Sequence, residues 1–155
     1  MEFRAATPDD VPAVLPMVRK IAVMHEKLDP AKYTFRSDPA EMYRDWLGSR
    51  TKDPRSVFLV ADTGTRLAGF LVATVVDEIP IYRIEEMGFI HDLWVEENYR
   101  HEGIGRQLVT IAVERFRDIG VKQVRCDTAW ENSTARELFK VCGFRPSTVE
   151  MLLEP

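Results

Sequence analysis

The sequence predicts an α/β fold, a mixed β-sheet with helices on its faces. Three observations carry this prediction. Apolar runs rich in β-branched and aromatic residues, such as "SVFLVAD" from Ser56 and "MGFIHDLWV" from Met87, read as strands. Ile104, Leu108, Ile111, Ala112, Phe116 and Ile119 recur at helical spacing and mark one buried stripe. The elements follow the order β-α-α-β-β-β-α-β-α-β without a repeat, a low-complexity tract or a long linker, so residues 1–155 are expected to form a single domain.

Each element has its own local reason. "EFRAA" is a short first strand. It gives way at Thr7-Pro8-Asp9-Asp10 to a helix start with a capping side chain, a proline and acids in the first turn. That helix runs toward Leu28, with Pro12 and Pro16 disturbing its early turns. "KLDPAKYTFRSDP" is a loop, and Asp38-Pro39 opens a second helix reaching about Trp46. From Ser56 the apolar period changes, and "SVFLVAD" pairs with "RLAGFLVATVV" around the turn at Thr63-Gly64-Thr65 as an antiparallel hairpin. The strand "MGFIHDLWV" comes next, then the helix ending at Gly120. "KQVRCDTA" reads as a strand, "NSTARELFKVC" as a helix stopped by Gly143, and "FRPSTVEMLLE" as a last strand.

Composition excludes several classes. A net charge of −4 and 45% hydrophobic residues describe an ordinary globular chain with no bulk attraction to nucleic acid or to an anionic membrane. The first residues lack the pattern of a secretory signal, and no apolar run approaches the roughly 20 residues of a membrane span, so a cytoplasmic location is expected. Cys126 and Cys142 have neither C-x-x-C spacing nor a histidine cluster, which points to reduced thiols and no metal.

The junction "YRHEGIGRQL", Tyr99 to Leu108, joins a strand to a helix without a Ser, Thr or Asp to cap the helix. The free amides of a first helical turn, together with the macrodipole, favour an anion, and Gly103 and Gly105 let one approach while Arg100 and Arg106 add charge. A third glycine of G-x-G-x-x-G would fall on Leu108 and no G-K-[ST] follows, so neither a dinucleotide fingerprint nor a P-loop is present. The run Arg100-His101-Glu102-Gly103-Ile104-Gly105 instead resembles the acetyl-CoA loop of the GCN5-related N-acetyltransferase (GNAT) family, [RQ]-x-x-G-x-[GA]. Downstream, Asn132, Ala135, Leu138, Gly143 and Phe144 match that family's N-x-x-A-x-x-L-[Y]-x-x-x-G-F pattern, with Phe139 where tyrosine is usual.

The resemblance implies direct transfer of the acetyl group of acetyl-CoA to a primary amine, without a covalent enzyme intermediate. By the same resemblance the amides of Arg100, His101, Gly103, Ile104, Gly105 and Arg106 hold the pyrophosphate, Val95 and Asn132 meet the pantetheine arm, and Phe139 borders the cofactor. A backbone amide around Leu93 to Val95 is implied as the oxyanion donor. Catalysis is expected of His91 and its neighbour Asp92. His91 is the first choice of base because imidazole titrates at about 6.5, and an exposed or sheet-bonded histidine is the alternative. Asp92 faces away in a regular strand, and a bulge would reverse that. With Phe139 lacking a hydroxyl, Ser133, Tyr82, Tyr33 or water is left as the proton donor to the leaving thiolate.

For the acceptor, seven acids between Asp77 and Glu97 stand against a single Arg83, which suits a cationic amine or a solvated sheet rim. Glu26, Tyr33 and Glu85 are the expected acceptor contacts, and a small molecule is favoured over a protein lysine. The competing reading is an acyl-CoA-binding sensor with little transferase activity, which the loss of tyrosine at 139 would fit. No stripe of basic and aromatic residues suggests nucleic acid. Family habit and exposed strand edges point to a homodimer.

Overall fold

The computed structural model describes residues 1–155. β1 (Glu2–Ala5) enters a 3-10 turn at Pro8–Asp10 and then α1 (Val11–Leu28). α2 (Pro39–Arg50) follows a loop, with Asp38 accepting from the Glu41 amide as its cap. β2 (Ser56–Asp62), β3 (Leu67–Asp77) and β4 (Glu86–Val95) follow, then α3 (Ile104–Ile119), β5 (Val124–Cys126) and α4 (Ser133–Val141). The five strands lie in sequence order, antiparallel except for the β4–β5 pair, which is parallel. A mixed sheet with helices on both faces is therefore observed, as predicted.

Side chains alternate across the sheet and build two apolar layers. Phe58, Val60, Phe70, Val72 and Trp94 face α1 and α2, where Val14, Val18 and Leu47 meet them. Leu59, Leu71, Ala73 and Ile90 face α3, where Leu108, Val109, Ala112 and Phe116 meet them. The helical stripe read from the sequence is thus the α3 face of the core. At the N-terminus, the Arg4 guanidinium bonds Asp10 and Asp62, each at 2.8 Å, and ties β1 to the start of α1.

Three elements differ from the sequence reading. The last strand is absent: residues 145–155 have no regular structure and every one of them is exposed. A period-2 pattern needs a sheet edge to pair with, and β5 offers one only three residues long. β5 is accordingly shorter than "KQVRCDTA". α2, in contrast, extends a turn beyond Trp46 and carries Arg50 with it.

The β3–β4 ladder contains one irregularity. Val72 pairs with Asp92 and Ala73 with Ile90, so His91 is an extra residue on β4 with no partner on β3. This is a β-bulge, the device by which a strand re-aims side chains. No helix of the protein is long and apolar enough to cross a membrane.

Candidate functional site

The bulge decides what β4 presents. Ile90 packs among the residues facing α3, and Trp94 among those facing α1 and α2. Between them, His91 and Asp92 turn to the α2 side together. The His91 ring lies edge-on to Trp46 at 5.3 Å and beside Phe89 at 5.2 Å, while Tyr43 stands next to Asp92. The regular alternation that would have sent Asp92 to the opposite face does not apply. Sequence named the bulge as an alternative, and the structure contains it.

The surroundings of the two side chains differ. The hydroxyl of Thr74, a buried residue of β3, lies 2.7 Å from His91 Nε2. Desolvation and the nearby Arg50 guanidinium both push the His91 pKa below its ordinary value, so the ring is neutral at pH 7. Asp92 moves the other way: burial pushes its carboxyl up to about 6 against a relieving contact from Tyr43. Its Oδ2 is buried and closes no hydrogen bond. Tyr43 itself is pushed up to about 12, first by burial and then by the Asp92 charge.

α2 supplies this environment through Tyr43, Trp46 and Arg50, at helical spacings of three and four residues that place them on one face. Arg50 is held by Asp53 at 2.9 Å and by Ser56 at 3.2 Å, and its guanidinium lies 5.6 Å from the Trp46 ring. Sequence reasoning missed these three residues and Thr74. The spacing was readable, but the surface it covers lies some 40 residues away in the chain, and only the fold joins them.

Farther along β4 lies an opening. Glu96 donates to the Ala68 carbonyl at 2.8 Å, so by antiparallel alternation the polar groups of Leu93 and Val95 point away from β3. On that side β5 pairs only with Gly88 to Ile90. The amides of Leu93 and Val95 therefore face an unpaired edge. The Val95 carbonyl is taken by Arg100 Nε at 3.0 Å, and the same guanidinium covers Trp94 at 4.7 Å. Arg100 is thus folded back onto β4 while still exposed, and Arg106 is exposed at the rim.

The junction itself holds two left-handed residues, His101 at φ 64° and Gly103 at φ 81°. Gly103 precedes α3 with no side chain capping the helix, and a Cβ there would meet nothing within 4 Å. Uncapped amides at an open, positive-φ glycine suit an anion such as a pyrophosphate. Gly105 works differently from the expectation. It is buried, and a Cβ on it would stand 3.1 Å from Leu138, so it permits α3 to approach α4. Ile104 likewise buries its side chain and leaves only its amide to the junction.

The remaining expected residues are dispersed. Asn132 caps α4 through its Oδ1, which accepts from the Ala135 amide at 3.0 Å, leaving its NH2 for other contacts. Phe139 is 8% exposed and packs against Phe144 in the core. Tyr33 stacks on His25 at 4.6 Å, and Glu26 is exposed on α1. Glu85 lies just before β4, its carbonyl receiving the Glu78 amide. None of Glu26, Tyr33 and Glu85 hydrogen-bonds to His91 or Asp92. The acidic bias is also weaker than its count, because Glu78, Glu86 and Glu96 pair with Arg125, Arg55 and Lys20. A groove of about 1310 Å³ runs between α1 and the end of β4 past Trp94, Tyr99 and Arg100, and it includes neither His91 nor Asp92.

Comparison with known proteins places these features in a family. Residues 21–144 match the model of the acetyltransferase (GNAT) family. The chain is 34% identical over 114 residues to an uncharacterized N-acetyltransferase of Archaeoglobus fulgidus, an alignment covering 74% of this chain and 72% of that one. To N-acetyltransferase 8 of Homo sapiens it is 29% identical over 112 residues, which is 72% of this chain and only 47% of the relative. Among solved structures, a mutant of the BH1408 protein from Bacillus halodurans superposes with a TM-score of 0.88 at 21% identity, covering 100% of this chain and 99% of that one. An aminoglycoside 6'-N-acetyltransferase from Acinetobacter haemolyticus superposes with a TM-score of 0.76 at 15% identity, covering 100% and 98%. At these identities the two structures speak for the fold.

Proposed function

The chain belongs to the acetyltransferase (GNAT) family of acetyl-CoA-dependent acyltransferases, and on that premise we propose that it acetylates a primary amine of a small molecule at the His91–Asp92 bulge. The observation that carries this reading is the continuity of β4. One strand presents, in succession, two titratable side chains turned to the α2 side and two amides turned to an unpaired edge, and it then runs into an uncapped helix start.

The residues present fit the cosubstrate. The junction from His101 to Arg106 offers amides and one exposed guanidinium for a pyrophosphate, and the amides of Leu93 and Val95 can donate to a carbonyl oxygen as negative charge develops on it. Bound acetyl-CoA would supply the activated acyl group. The chain's part is to hold that group against the strand edge, to orient the amine and to receive its proton. His91 and Asp92 are the two titratable groups placed near that task, and the Asp92 carboxyl is raised to about 6. Phe139 cannot protonate the departing thiolate, since it has no hydroxyl and its ring is buried, which leaves that step to solvent or to the hydroxyl of Ser133, Tyr82 or Tyr33.

The acceptor reading rests on the aminoglycoside enzyme among the structural neighbours. An amine panel assayed for thiol release from acetyl-CoA tests it: small polyamines, aminoglycosides or amino acids should be turned over in preference to lysine-containing peptides. Binding of acetyl-CoA without turnover of any amine class would instead support the sensor reading. The cofactor junction is tested by calorimetry on Gly103→Asp, whose side chain enters open space and repels a phosphate. Affinity for acetyl-CoA should fall at least tenfold, and an unchanged affinity in the folded variant would remove the pyrophosphate assignment.

A further inference from the structure

The hydrogen bond between Thr74 and His91 has a direction that the surroundings determine. Thr74 is 6% exposed, and the only hydrogen bond its hydroxyl makes is the 2.7 Å contact with His91 Nε2. If Nε2 carried the proton and donated to Oγ1, the threonine proton would be buried with no acceptor, a loss of roughly 1–3 kcal/mol. If the hydroxyl donates to the Nε2 lone pair, both groups are satisfied. The imidazole proton must then sit on Nδ1, because a neutral ring carries only one. Nδ1 has no protein partner, and the residue keeps solvent access.

We propose that Thr74 is a positioning residue that fixes His91 as its Nδ1–H tautomer, so that His91 serves as a hydrogen-bond donor and the acceptor amine gives its proton to Asp92. The inference rests on reading the bulge as the catalytic centre. It divides between the two side chains a task that geometry alone leaves to both.

Desolvation and Arg50 both work against a positive charge on the ring. Arg50 on α2 places a positive charge near His91, and its Nη1 donates to Asp53 at 2.9 Å. Trp46 from α2 and Phe89 on the same strand cover the ring with apolar surface. Protonating Nε2 would add a second positive charge beside Arg50 and force the Thr74 hydroxyl to turn away from its only acceptor. The Asp92 carboxylate has a buried Oδ2 with no hydrogen bond to give up on protonation. In the transfer, the Asp92 carboxylate takes the proton that nitrogen sheds as its lone pair forms the N–C bond. The electron pair of the broken C–S bond leaves with sulfur, and that same proton, returned through solvent, completes the thiol.

Ring nitrogen–proton correlation spectra of the protein labelled with 15N-histidine test the tautomer directly. The chain has three histidines, so His91 is assigned by the signal missing from His91→Ala. Above pH 7.5 the His91 signals should show the Nδ1–H pattern, should move toward the Nε2–H form in Thr74→Val and should return in Thr74→Ser. Turnover should fall about tenfold in Thr74→Val and recover in the serine variant, in line with loss of one oriented hydrogen bond. The acid limb of the kcat/KM profile should survive in His91→Ala and vanish in Asp92→Asn. An Nε2–H pattern at His91 in the parent protein overturns the proposal whether or not the Thr74 variants fold. It would leave amine acetylation standing, because the amine panel reports on that separately. Survival of the limb in Asp92→Asn with loss in His91→Ala would equally overturn it.

Discussion

At the residue scale, the site sets stability against chemistry. Asp92 has its carboxyl raised by burial to about 6, above the ordinary carboxylate value of 3.8. The folded protein therefore holds the proton more tightly than the unfolded chain, and the stability that this gives is present below about pH 4 and lost as pH rises through 6. Above that, the ionised carboxylate destabilises the fold by an amount on the order of 1–3 kcal/mol. Asp92→Asn should consequently melt a few degrees higher than the parent at pH 7.5 while losing about a hundredfold in kcat/KM, with calorimetry and steady-state rates as the two measurements. A variant that melts lower would show that the carboxylate is better satisfied than its missing hydrogen bond indicates. Asp10 has the opposite sign. The Arg4 guanidinium and the Thr7 amide hold its carboxyl down near 2, so the stability it lends is present above pH 4 and lost as pH falls through 2. Asp10→Asn should cost about 1 kcal/mol at pH 7, solvent screening reducing the full effect, and should flatten acid denaturation between pH 4 and 2.

At the element scale, α2 is more than a cover for the sheet. Tyr43, Trp46 and Arg50 form the face it turns to His91 and Asp92, and Arg50→Met should raise the His91 pKa measurably in an NMR titration because it removes a positive charge that lowers it. The C-terminal stretch makes the contrasting case. Residues 145–155 are all exposed, and their ion pair, Lys32 with Glu150, lies at the surface, where such pairs contribute little. A chain ending at Phe144 should therefore melt within about 2 °C of the full sequence in thermal unfolding.

These elements also show what a sequence carries and what it withholds. The junction at Gly103 was legible because its chemistry is local: a missing cap and a glycine in the left-handed region are properties of neighbouring residues. The α3 stripe was legible for the same reason. The direction in which Asp92 points was not, since "FIHDLW" fits a regular strand and a bulged one equally well and the choice is made by the partner strand. Thr74 and α2 entered the site only through tertiary contact. The final strand failed in reverse, with an adequate local pattern but no edge on which to lie.

At the scale of the whole molecule, the sheet separates two kinds of work. Both sides are apolar layers, but the α3 side also carries the uncapped helix start and the α2 side the two titratable groups of the bulge, with β4 the one strand serving both. Because His91 is the residue the β3–β4 ladder does not count, excising it altogether would put Ile90 and Asp92 back in step without turning either side chain over. A protein shortened by that one position should still fold, its carboxylate still aimed at Tyr43. The imidazole is thus carried by the one position of β4 that the pairing with β3 does not require.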